Sequence, residues 1–401
     1  MQDKKIFKLI KKESVRQNAT LNLIASENYV SEDVLRSLGS ALVNKYAEGY
    51  PGKRYYGGNS IIDEVESLCA ERALRLFHLS TKAWSANVQP YSGSPANLAV
   101  LLALVPPGGK IMGLELSMGG HLTHGHGVSA TGKLWKATRY GLNPKTETLD
   151  YKEIERLAKK EKPALIIAGY TAYSRKIDFK KFRAIADKVG AYLLVDMSHI
   201  AGLVAGGAHQ SPFPYADVVT TTTHKTLRGP RAAIIFSRAK LSAQIDRAVF
   251  PGLQGGPHEN QIAAVAVALN EATSPDFKNY AKQIVKNAGV LSRSLADLGW
   301  RIVSGGTDTH LFLVDVASSG IFGAEASDRL ERQGIIVNKN GIPFDSRPPR
   351  DPSGIRLGLA ALTTRGFKEP QVKILAKLIN RGLLGESVKK EVAALAKKFP
   401  I

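Results

Sequence analysis

The chain has 401 residues, of which 44% are hydrophobic and 22% are charged, and its formal net charge is +20. Its single cysteine, Cys69, excludes a disulfide framework and a thiolate zinc site, and favours a reducing compartment. The apolar run 262–269 is far too short to span a bilayer, and the lysine-rich N-terminus lacks the apolar core of a secretory signal. We therefore expect a soluble, cytoplasmic protein without a membrane partner.

The strong positive charge has two interpretations. A polyanionic partner such as nucleic acid is one, and a lysine-rich solvated surface is the other. The basic residues are spread from Lys4 to Lys398 and are only moderately enriched at the two ends. This spread favours the solvated surface, so nucleic acid is not required, although RNA binding as a second property stays open.

The pattern between residues 84 and 237 predicts an α/β fold. Short apolar runs alternate there with amphipathic stretches, which is typical of a mostly parallel sheet covered by helices on both faces. The predicted strands are Lys110–Leu114, Ala164–Tyr170, Ala191–Asp196, Ala216–Thr222 and Ala232–Ser237. The helical patterns Tyr151–Lys160 and Phe179–Val189 flank the second of these strands.

The pattern of apolar and polar residues changes after the helical run Glu259–Ala272. A long helix at Tyr280–Leu298, a strand at Leu311–Val316, two further helical segments and a basic C-terminal helix follow. These elements predict a separate, smaller α/β domain. We assign residues 1–275 to an N-terminal arm and a large domain, and residues 276–401 to a small C-terminal domain.

The segment Asn44–Ser60 is rich in tyrosine, glycine and charge and shows neither helical nor strand periodicity. A flexible loop does not account for four tyrosines together with Glu48 and Arg54 in so short a stretch. Aromatic hydroxyl groups beside a carboxylate are suited to proton transfer. The segment is therefore a candidate catalytic loop.

Two glycine-containing motifs follow. In Tyr91–Val100, a Ser-Gly-Ser sequence precedes a helix with Pro95 in its first turn, which predicts either an anion site at the helix start or an ordinary capped helix. In Gly119–Gly127, three histidines lie among glycines without an acidic or thiolate partner nearby. We expect no metal here, and favour His121 as a ring stacked on a planar cofactor.

Two strand ends carry the strongest chemical signal. The strand Leu193–Asp196 ends in a carboxylate, with His199 three residues further on, and the next predicted strand leads to His224 and Lys225. Carboxyl ends of parallel strands face the ligand crevice of an open sheet. A lysine there is a Schiff-base nucleophile, and an aspartate there pairs with the pyridinium nitrogen of pyridoxal phosphate. A surface lysine and a helix-capping aspartate are the alternatives, and the pairing of the two disfavours them.

Together these stretches resemble the serine hydroxymethyltransferase family from about Leu23 to about Phe367. The resemblance is carried by YAEGYPGKRYYGG, SGSPAN, GGHLTHG, VDMSHIAGL, TTTTHKTLRGPR, FPGLQGGP, VNKN and SGIRLG. It implies the aminotransferase-like type I pyridoxal-phosphate fold, in a homodimer or homotetramer whose active sites are shared between subunits. It also implies the reversible conversion of L-serine and tetrahydrofolate (or a related pterin) to glycine and 5,10-methylenetetrahydrofolate.

The resemblance assigns roles position by position. Lys225, Asp196, Glu48, His224 and Tyr56 would be catalytic. The cofactor would be held by Lys225, Asp196, His199, His121, Gly93, Ser94, Tyr46, Thr171, Gly255 and Gly256. The partner subunit would contribute Glu48, Tyr46, Tyr56, Gly255 and Gly256. Serine would bind Ser26, Glu48, Tyr56, Arg356 and Arg231, with Arg356 as the fork for the carboxylate. Folate would bind Leu116, Gly120, His121, Leu122 and Asn340.

Two other functions are alternatives to this hypothesis. A folate-independent aldolase that cleaves β-hydroxy amino acids such as threonine shares the fold, but retention of Glu48, Tyr56 and Asn340 argues against it as the main activity. An RNA-binding protein on a retired enzyme fold would explain the charge. The intact set of Lys225, Asp196 and Arg356 argues against retirement.

Overall fold

The computed structural model describes residues 3–401. The chain forms two compact units. Val30–Lys282 make up one, here called the large unit, and the residues up to Tyr29 join Gln283–Ile401 in the other, the small unit. The predicted division into domains 1–275 and 276–401 stays a prediction, because compactness alone does not establish which segments fold as domains.

Fifteen strands and fifteen α-helices occur in the described residues. The strands are β1 Leu21–Asn22, β2 Gly49–Tyr50, β3 Lys53–Arg54, β4 Trp84–Asn87, β5 Lys110–Leu114, β6 Lys136–Tyr140, β7 Leu165–Gly169, β8 Tyr192–Asp196, β9 Val218–Thr222, β10 Ala233–Arg238, β11 Arg301–Ile302, β12 Leu311–Asp315, β13 Ile335–Ile336, β14 Asn338–Asn340 and β15 Gly354–Gly358. The helices are α1 Lys4–Ala19, α2 Glu32–Leu38, α3 Ser60–Leu76, α4 Gly93–Leu104, α5 Ala130–Leu134, α6 Tyr151–Glu161, α7 Phe179–Val189, α8 Ala201–Ala205, α9 Ser242–Val249, α10 Glu259–Glu271, α11 Pro275–Asp297, α12 Gly323–Arg332, α13 Ala360–Thr364, α14 Glu369–Leu383 and α15 Lys389–Lys397.

The large unit is built around a seven-stranded sheet with the order β4-β10-β9-β8-β7-β5-β6. The strands β5 to β9 pair in parallel, and β10 is antiparallel to both of its neighbours. The five predicted strands correspond to β5, β7, β8, β9 and β10. The α/β class and the mostly parallel sheet are confirmed. The two edge strands, β4 and β6, mix polar and apolar residues and escaped prediction.

Burial explains why the central segments form strands. Every residue of β7 and β9 is buried, as expected for parallel strands covered on both faces. The helix α7 buries Phe179, Phe182 and Ile185 at a three-residue spacing, and the side chain of Asp178 caps its first turn. Such helices bury an apolar stripe against the sheet, which leaves the strand ends as the place for polar chemistry.

The small unit contains a four-stranded antiparallel sheet with the order β11-β12-β15-β14, and β1 pairs in parallel with β13. Its core joins strand residues such as Phe312 and Leu357 to Leu375 and Ile379 of α14. Between residues 3 and 401, no helix has both the length and the apolar character that crossing a membrane requires.

The register of the large sheet determines which strand ends meet. Gly169 at the end of β7 is opposite Asp196 of β8, and Asp196 is opposite Thr220 of β9. The side chains that follow β8 and β9 therefore emerge at the same edge of the sheet. Lys225 comes three residues after the end of β9, and its side chain folds back to contact Thr222, the last residue of that strand.

Candidate active site

Asp196 is the most strongly constrained carboxylate of this edge. Its side chain is 9% exposed, and its Oδ2 accepts hydrogen bonds from His124 Nε2 at 3.1 Å and from Asn97 Nδ2 at 2.8 Å. The backbone amide of Ser198 donates to Oδ1. Burial alone raises the pKa of a carboxyl, but the hydrogen bonds and the charge interaction with His124 outweigh it and hold the pKa of Asp196 well below its usual range. The carboxylate is ionised at neutral pH.

The partners of Asp196 are themselves oriented by hydrogen bonds. His124 Nδ1 accepts from the amide of His121, which orients the ring so that Nε2 faces the carboxylate of Asp196. Thr220 donates to the side-chain oxygen of Asn97, so that the amide nitrogen points to Asp196. The three side chains come from α4, β9 and the 3₁₀ turn Leu122–His124, and together they leave the carboxylate little freedom.

Lys225 is held at the same strand end. Its Nζ lies 2.7 Å from Thr222 Oγ1, and the amide of Thr222 donates to Ser198 Oγ at 3.0 Å. The start of α4 also lies here, since a Cβ atom on Gly93 would come within 2.7 Å of the Thr222 methyl group. The site therefore brings together Lys225, the loop after Asp196 and the predicted anion-binding helix start.

The N-terminus of α4 has the properties of an anion site. Ser92 is the N-cap residue and makes no side-chain capping hydrogen bond, so the amides of Gly93 and Ser94 are left to bind another partner. The helix has 12 residues, and its dipole favours negative charge at this end.

The predicted ring contacts occupy the same region. His121 Nδ1 lies 2.7 Å from Thr123 Oγ1, and burial together with the nearby His124 lowers the pKa of His121 to about 4, so the ring is neutral. His199 is buried, and its ring is nearly parallel to that of Tyr170 with centroids 6.4 Å apart. Thr171 is fixed through its amide, which donates to the carbonyl of Gly119 at 2.7 Å.

His224 precedes the lysine and is the site's second neutral histidine. Burial lowers its pKa to about 3, with additional effects of Lys225 and Arg231. Its Nδ1 is buried and has no hydrogen-bond partner in the described part of the chain, 3–401. Arg231 is exposed. A buried nitrogen without a partner, next to Lys225, can accept a hydrogen bond from a ligand.

The segment that contains Glu48 forms a small hairpin. Gly49 adopts φ +98°, and a Cβ atom there would collide with the carbonyl of Lys53, so only glycine fits. Tyr46 donates to Glu48 Oε1 at 3.3 Å, and the charge of Glu48 raises the pKa of Tyr46. The Tyr46 ring lies 4.9 Å from that of Tyr56, and both tyrosines are about half exposed (52% and 48%).

Gly255 and Gly256 lie beside this hairpin in the same chain. A Cβ atom on Gly255 would be 3.1 Å from Glu48 Oε1, and one on Gly256 would be 3.2 Å from the Tyr46 ring. The hydroxyl of Tyr91 donates to the carbonyl of Gly256. The structure thus groups Tyr46, Glu48, Gly255 and Gly256, and Tyr56 packs on the ring of Tyr46. These are the five residues for which a position in the partner's site is predicted.

Three predicted residues belong to the small unit. Arg356 on β15 is 6% exposed, its Nη2 donates to Asn338 Oδ1 at 2.7 Å, and burial lowers its pKa to about 10, so it remains charged at neutral pH. The segment before Ser26 packs on the end of the same strand, since the amide of Gly358 donates to Leu23. Asn340 lies on β14, which pairs with β15.

The remaining predicted folate residues surround the His121 turn. Leu116 begins the 3₁₀ turn Leu116–Met118, and Leu122 begins the turn Leu122–His124 with its side chain 44% exposed. Gly120 packs so closely on the backbone of Leu114 that a side chain would collide with it. The turns therefore present an apolar side chain next to His121.

The donor set of the large unit fits pyridoxal phosphate. A strand-end lysine, an ionised and fixed carboxylate on the neighbouring strand, a neutral histidine ring and an uncapped helix start correspond to the cofactor's aldehyde, ring nitrogen, ring face and phosphate. Sequence reasoning had assigned no role to His124 or Asn97. His124 stood in the histidine-rich motif, but nothing in its spacing indicated a contact with a residue 72 positions away.

Comparisons with known proteins agree with this geometry. The sequence model of the serine hydroxymethyltransferase family matches residues 1–379. Three similar curated proteins carry the name serine hydroxymethyltransferase. They are those of Desulfotalea psychrophila (53% identity, 100% of this chain and 94% of the relative), Coprothermobacter proteolyticus (55%, 99% and 95%) and Acidobacterium capsulatum (53%, 100% and 94%).

Proposed function

Because the chain belongs to the serine hydroxymethyltransferase family, we propose that it performs the family's reaction at the site described in the large unit. The reaction is the reversible transfer of the hydroxymethyl carbon of L-serine to tetrahydrofolate, giving glycine and 5,10-methylenetetrahydrofolate. Pyridoxal 5'-phosphate, when bound, acts as the electron sink that stabilises negative charge on the substrate's α-carbon. The observation that carries the proposal is the ionised, triply hydrogen-bonded Asp196 next to the strand end that holds Lys225.

Lys225 and Asp196 hold the cofactor from two sides in this proposal. Lys225, whose Nζ is oriented by Thr222, would hold the cofactor at its aldehyde group. The carboxylate of Asp196 keeps the ring nitrogen protonated, because hydrogen bonds from His124 and Asn97 stabilise its charged form. The neutral ring of His121 would stack on the cofactor ring, and His199 and Thr171 would help to hold the cofactor.

The phosphate is assigned to the start of α4. Gly93 and Ser94 offer backbone amides and a hydroxyl, and the helix dipole adds a favourable field. Gly255 and Gly256 of the partner subunit complete the phosphate site, and Tyr46 of the partner subunit lies beside them. The glycines permit close approach because neither has a side chain.

Arg356 is assigned to the carboxylate of serine. A guanidinium remains charged at a pKa of about 10, and its planar fork binds a carboxylate at two points. Ser26 adds a hydroxyl donor, and Arg231 and His224 border the substrate. Because the pKa of His224 is lowered to about 3, the imidazole near Lys225 is neutral and can accept a hydrogen bond.

Glu48 and Tyr56 are assigned to proton transfer. Glu48 holds or moves a proton at the hydroxyl oxygen of serine and at N5 of the pterin, with Tyr56 beside it. Leu116, Gly120, His121, Leu122 and Asn340 line the pterin site. Tetrahydrofolate or a related pterin is the acceptor of the one-carbon unit.

We propose a homodimer, alone or within a homotetramer, in which Glu48 serves the partner's Lys225. Large apolar side chains are exposed around the Glu48 hairpin: Leu35, Val43, Tyr46, Tyr55, Tyr56, Ile61 and Leu68, each 40% exposed or more. Such a concentration marks an interaction surface, and a two-fold axis would use it twice. A cytoplasmic location is part of the proposal, and the free, buried Cys69 supports it.

Subunit mixing tests the shared site. Lys225→Gln and Glu48→Gln each lose nearly all of the activity in this account, and they are mixed after dissociation and reassociation. Random pairing makes half of the dimers mixed, each with one intact site of two, so activity recovers to about a quarter of wild type. If Glu48 served its own chain, every site would carry a lesion and nothing would recover.

The reaction itself is tested by measuring glycine formation from serine with and without tetrahydrofolate. Tetrahydrofolate-dependent formation is expected. Cleavage of threonine-like substrates at a higher kcat/KM than serine, without dependence on the pterin, would instead identify a folate-independent aldolase.

A further inference from the structure

Arg54 lies inside the Glu48 hairpin and contacts the backbone on both sides of Glu48. Its Nη1 donates to the carbonyl of Ala47 at 2.8 Å and to the carbonyl of Gly49 at 2.9 Å. These are the two residues adjacent to Glu48. The side chain of Arg54 is 4% exposed, so the contacts are made away from water.

The other nitrogens of Arg54 are tied to α3. Nε donates to Asp63 Oδ1 and Nη2 to Glu66 Oε2, both at 2.8 Å. Asp63 also accepts from the amide of Gly52 in the hairpin turn. The guanidinium therefore links the two strands of the hairpin to one face of a 17-residue helix.

Gln89, which follows β4, also links the hairpin to α3. Gln89 Nε2 donates to Glu66 Oε1 and to the same Gly49 carbonyl, each at 2.9 Å. Gln254 donates to the carbonyl of Gln89 and accepts from the amide of Tyr91, which precedes the anion-binding helix start. One buried network thus connects the Glu48 hairpin, the loop before α4 and the Gly255–Gly256 loop.

We propose that Arg54, held by Glu66, is a positioning residue for Glu48, which it places by fixing the two peptide carbonyls beside it. The proposal rests on the assignment of Glu48 as the acid/base of the proposed function. In residues 3–401 the Glu48 side chain accepts only the long hydrogen bond from Tyr46, so its position depends on its backbone. A displacement of about 1 Å at a reacting group lowers a rate about a hundredfold.

Charge and shape make Arg54 difficult to replace. A guanidinium presents donors in a planar fork, whereas an ammonium group cannot reach two carbonyls and two carboxylates at once. Arg54→Lys keeps the charge beside Asp63 and Glu66 and therefore spares the fold more than Arg54→Gln. Glu66→Gln is the second variant, since it keeps the shape of the side chain that holds Arg54.

The test is a double-mutant cycle with an independent structural readout. Arg54→Lys should lower tetrahydrofolate-dependent kcat about a hundredfold while bound cofactor stays at the wild-type level. In a Glu48→Gln background the same substitution should change the remaining rate by less than about threefold, because the group that it positions is already gone. Equal losses in the two backgrounds would overturn the proposal, since Arg54 would then act independently of Glu48.

Amide hydrogen exchange of the cofactor-bound protein measures the stability of the hairpin without an activity measurement. Amides from Ala47 to Tyr56 should exchange faster in Arg54→Lys and in Glu66→Gln than in wild type. Arg72→Gln is the matched control, because Arg72 also lies on α3 and donates to a backbone carbonyl, that of Ala266, but does not contact the hairpin. Unchanged exchange in both hairpin variants would overturn the proposal. Wild-type activity of Glu48→Gln alone would contradict the proposed function instead.

Discussion

His124 donates from Nε2 to Asp196 Oδ2 over 3.1 Å, and both side chains are almost completely buried. The contact joins a 3₁₀ turn to the end of a central strand. It gives the aspartate a fixed orientation and contributes to the low pKa of its carboxyl group.

Asp196→Asn should leave the fold intact and remove most of the activity. An amide cannot keep the ring nitrogen of the cofactor protonated, so the stabilisation of the transition state should fall by several kcal/mol, or about 10²-fold or more in kcat. Steady-state kinetics with saturating serine measure the loss, and circular dichroism checks the fold. Near-normal turnover would remove Asp196 from the cofactor site.

His124→Phe, which keeps a flat ring but removes the donor to Asp196, should weaken the binding of pyridoxal phosphate. A hydrogen bond to a charged group contributes about 1.5–3 kcal/mol, so the dissociation constant should rise on the order of tenfold to a hundredfold. Titration of the apoenzyme, followed by absorbance, measures the change. His126→Phe is the control and should bind normally, because His126 lies in the same glycine-rich motif and makes no hydrogen bond to Asp196 in residues 3–401.

Arg356→Lys should weaken serine binding strongly and leave the cofactor content unchanged. Lysine offers a single point charge in place of a planar fork, and the expected loss is about 1.5–3 kcal/mol. Serine titration of the holoenzyme measures it. Arg381→Lys, an exposed ion-pair arginine of the small unit, is the control. If serine affinity were unaltered, another arginine, such as Arg231, would bind the carboxylate.

Glu259→Gln should stabilise the protein at alkaline pH. Glu259 is 1% exposed, and neither carboxylate oxygen has a hydrogen-bond partner in residues 3–401. Burial, together with the charge of Glu66, raises its pKa to about 8, and Arg54, Asp63 and Cys69 are the other ionisable groups near it. The folded protein therefore keeps a proton that the unfolded chain releases near pH 4.5.

The sign of the pH effect follows from that proton. Between about pH 4.5 and 8 the native state binds more protons than the unfolded state, so the free energy of unfolding falls as pH rises through this window. Glutamine mimics the protonated acid. The free energy of unfolding of the variant should therefore exceed that of wild type by about 1–3 kcal/mol at pH 8.5 and by little at pH 5. Denaturant unfolding at both pH values measures the difference. Glu71→Gln is the control, because Glu71 is an exposed residue of α3. An equal effect at the two pH values would contradict the raised pKa.

The sequence predicted those parts of the site that follow from strand order. Asp196 and Lys225 could be placed together because each follows a buried apolar run, and parallel strands end at one edge. His124 and Asn97 could not, because their contacts with Asp196 depend on how a turn and a helix pack above the sheet.

The hairpin network was beyond reach for a similar reason. The composition of Asn44–Ser60 indicates a catalytic role for its tyrosines and Glu48, but nothing in it indicates a role for Arg54. Its partners Asp63 and Glu66 sit on an amphipathic helix whose pattern reports which face is buried, not which carboxylate meets which arginine. Edge strands such as β4 and β6 were missed because their half-exposed residues carry no continuous apolar signal.

The central claim is that this chain holds pyridoxal phosphate between Lys225 and Asp196, and borohydride reduction tests it most directly. The purified protein should be yellow, and reduction should fix the cofactor covalently to one lysine. Peptide mapping is expected to place the adduct on Lys225, on the peptide that contains His224. An adduct on any other lysine, or no adduct in a protein that forms glycine from serine, would contradict the account.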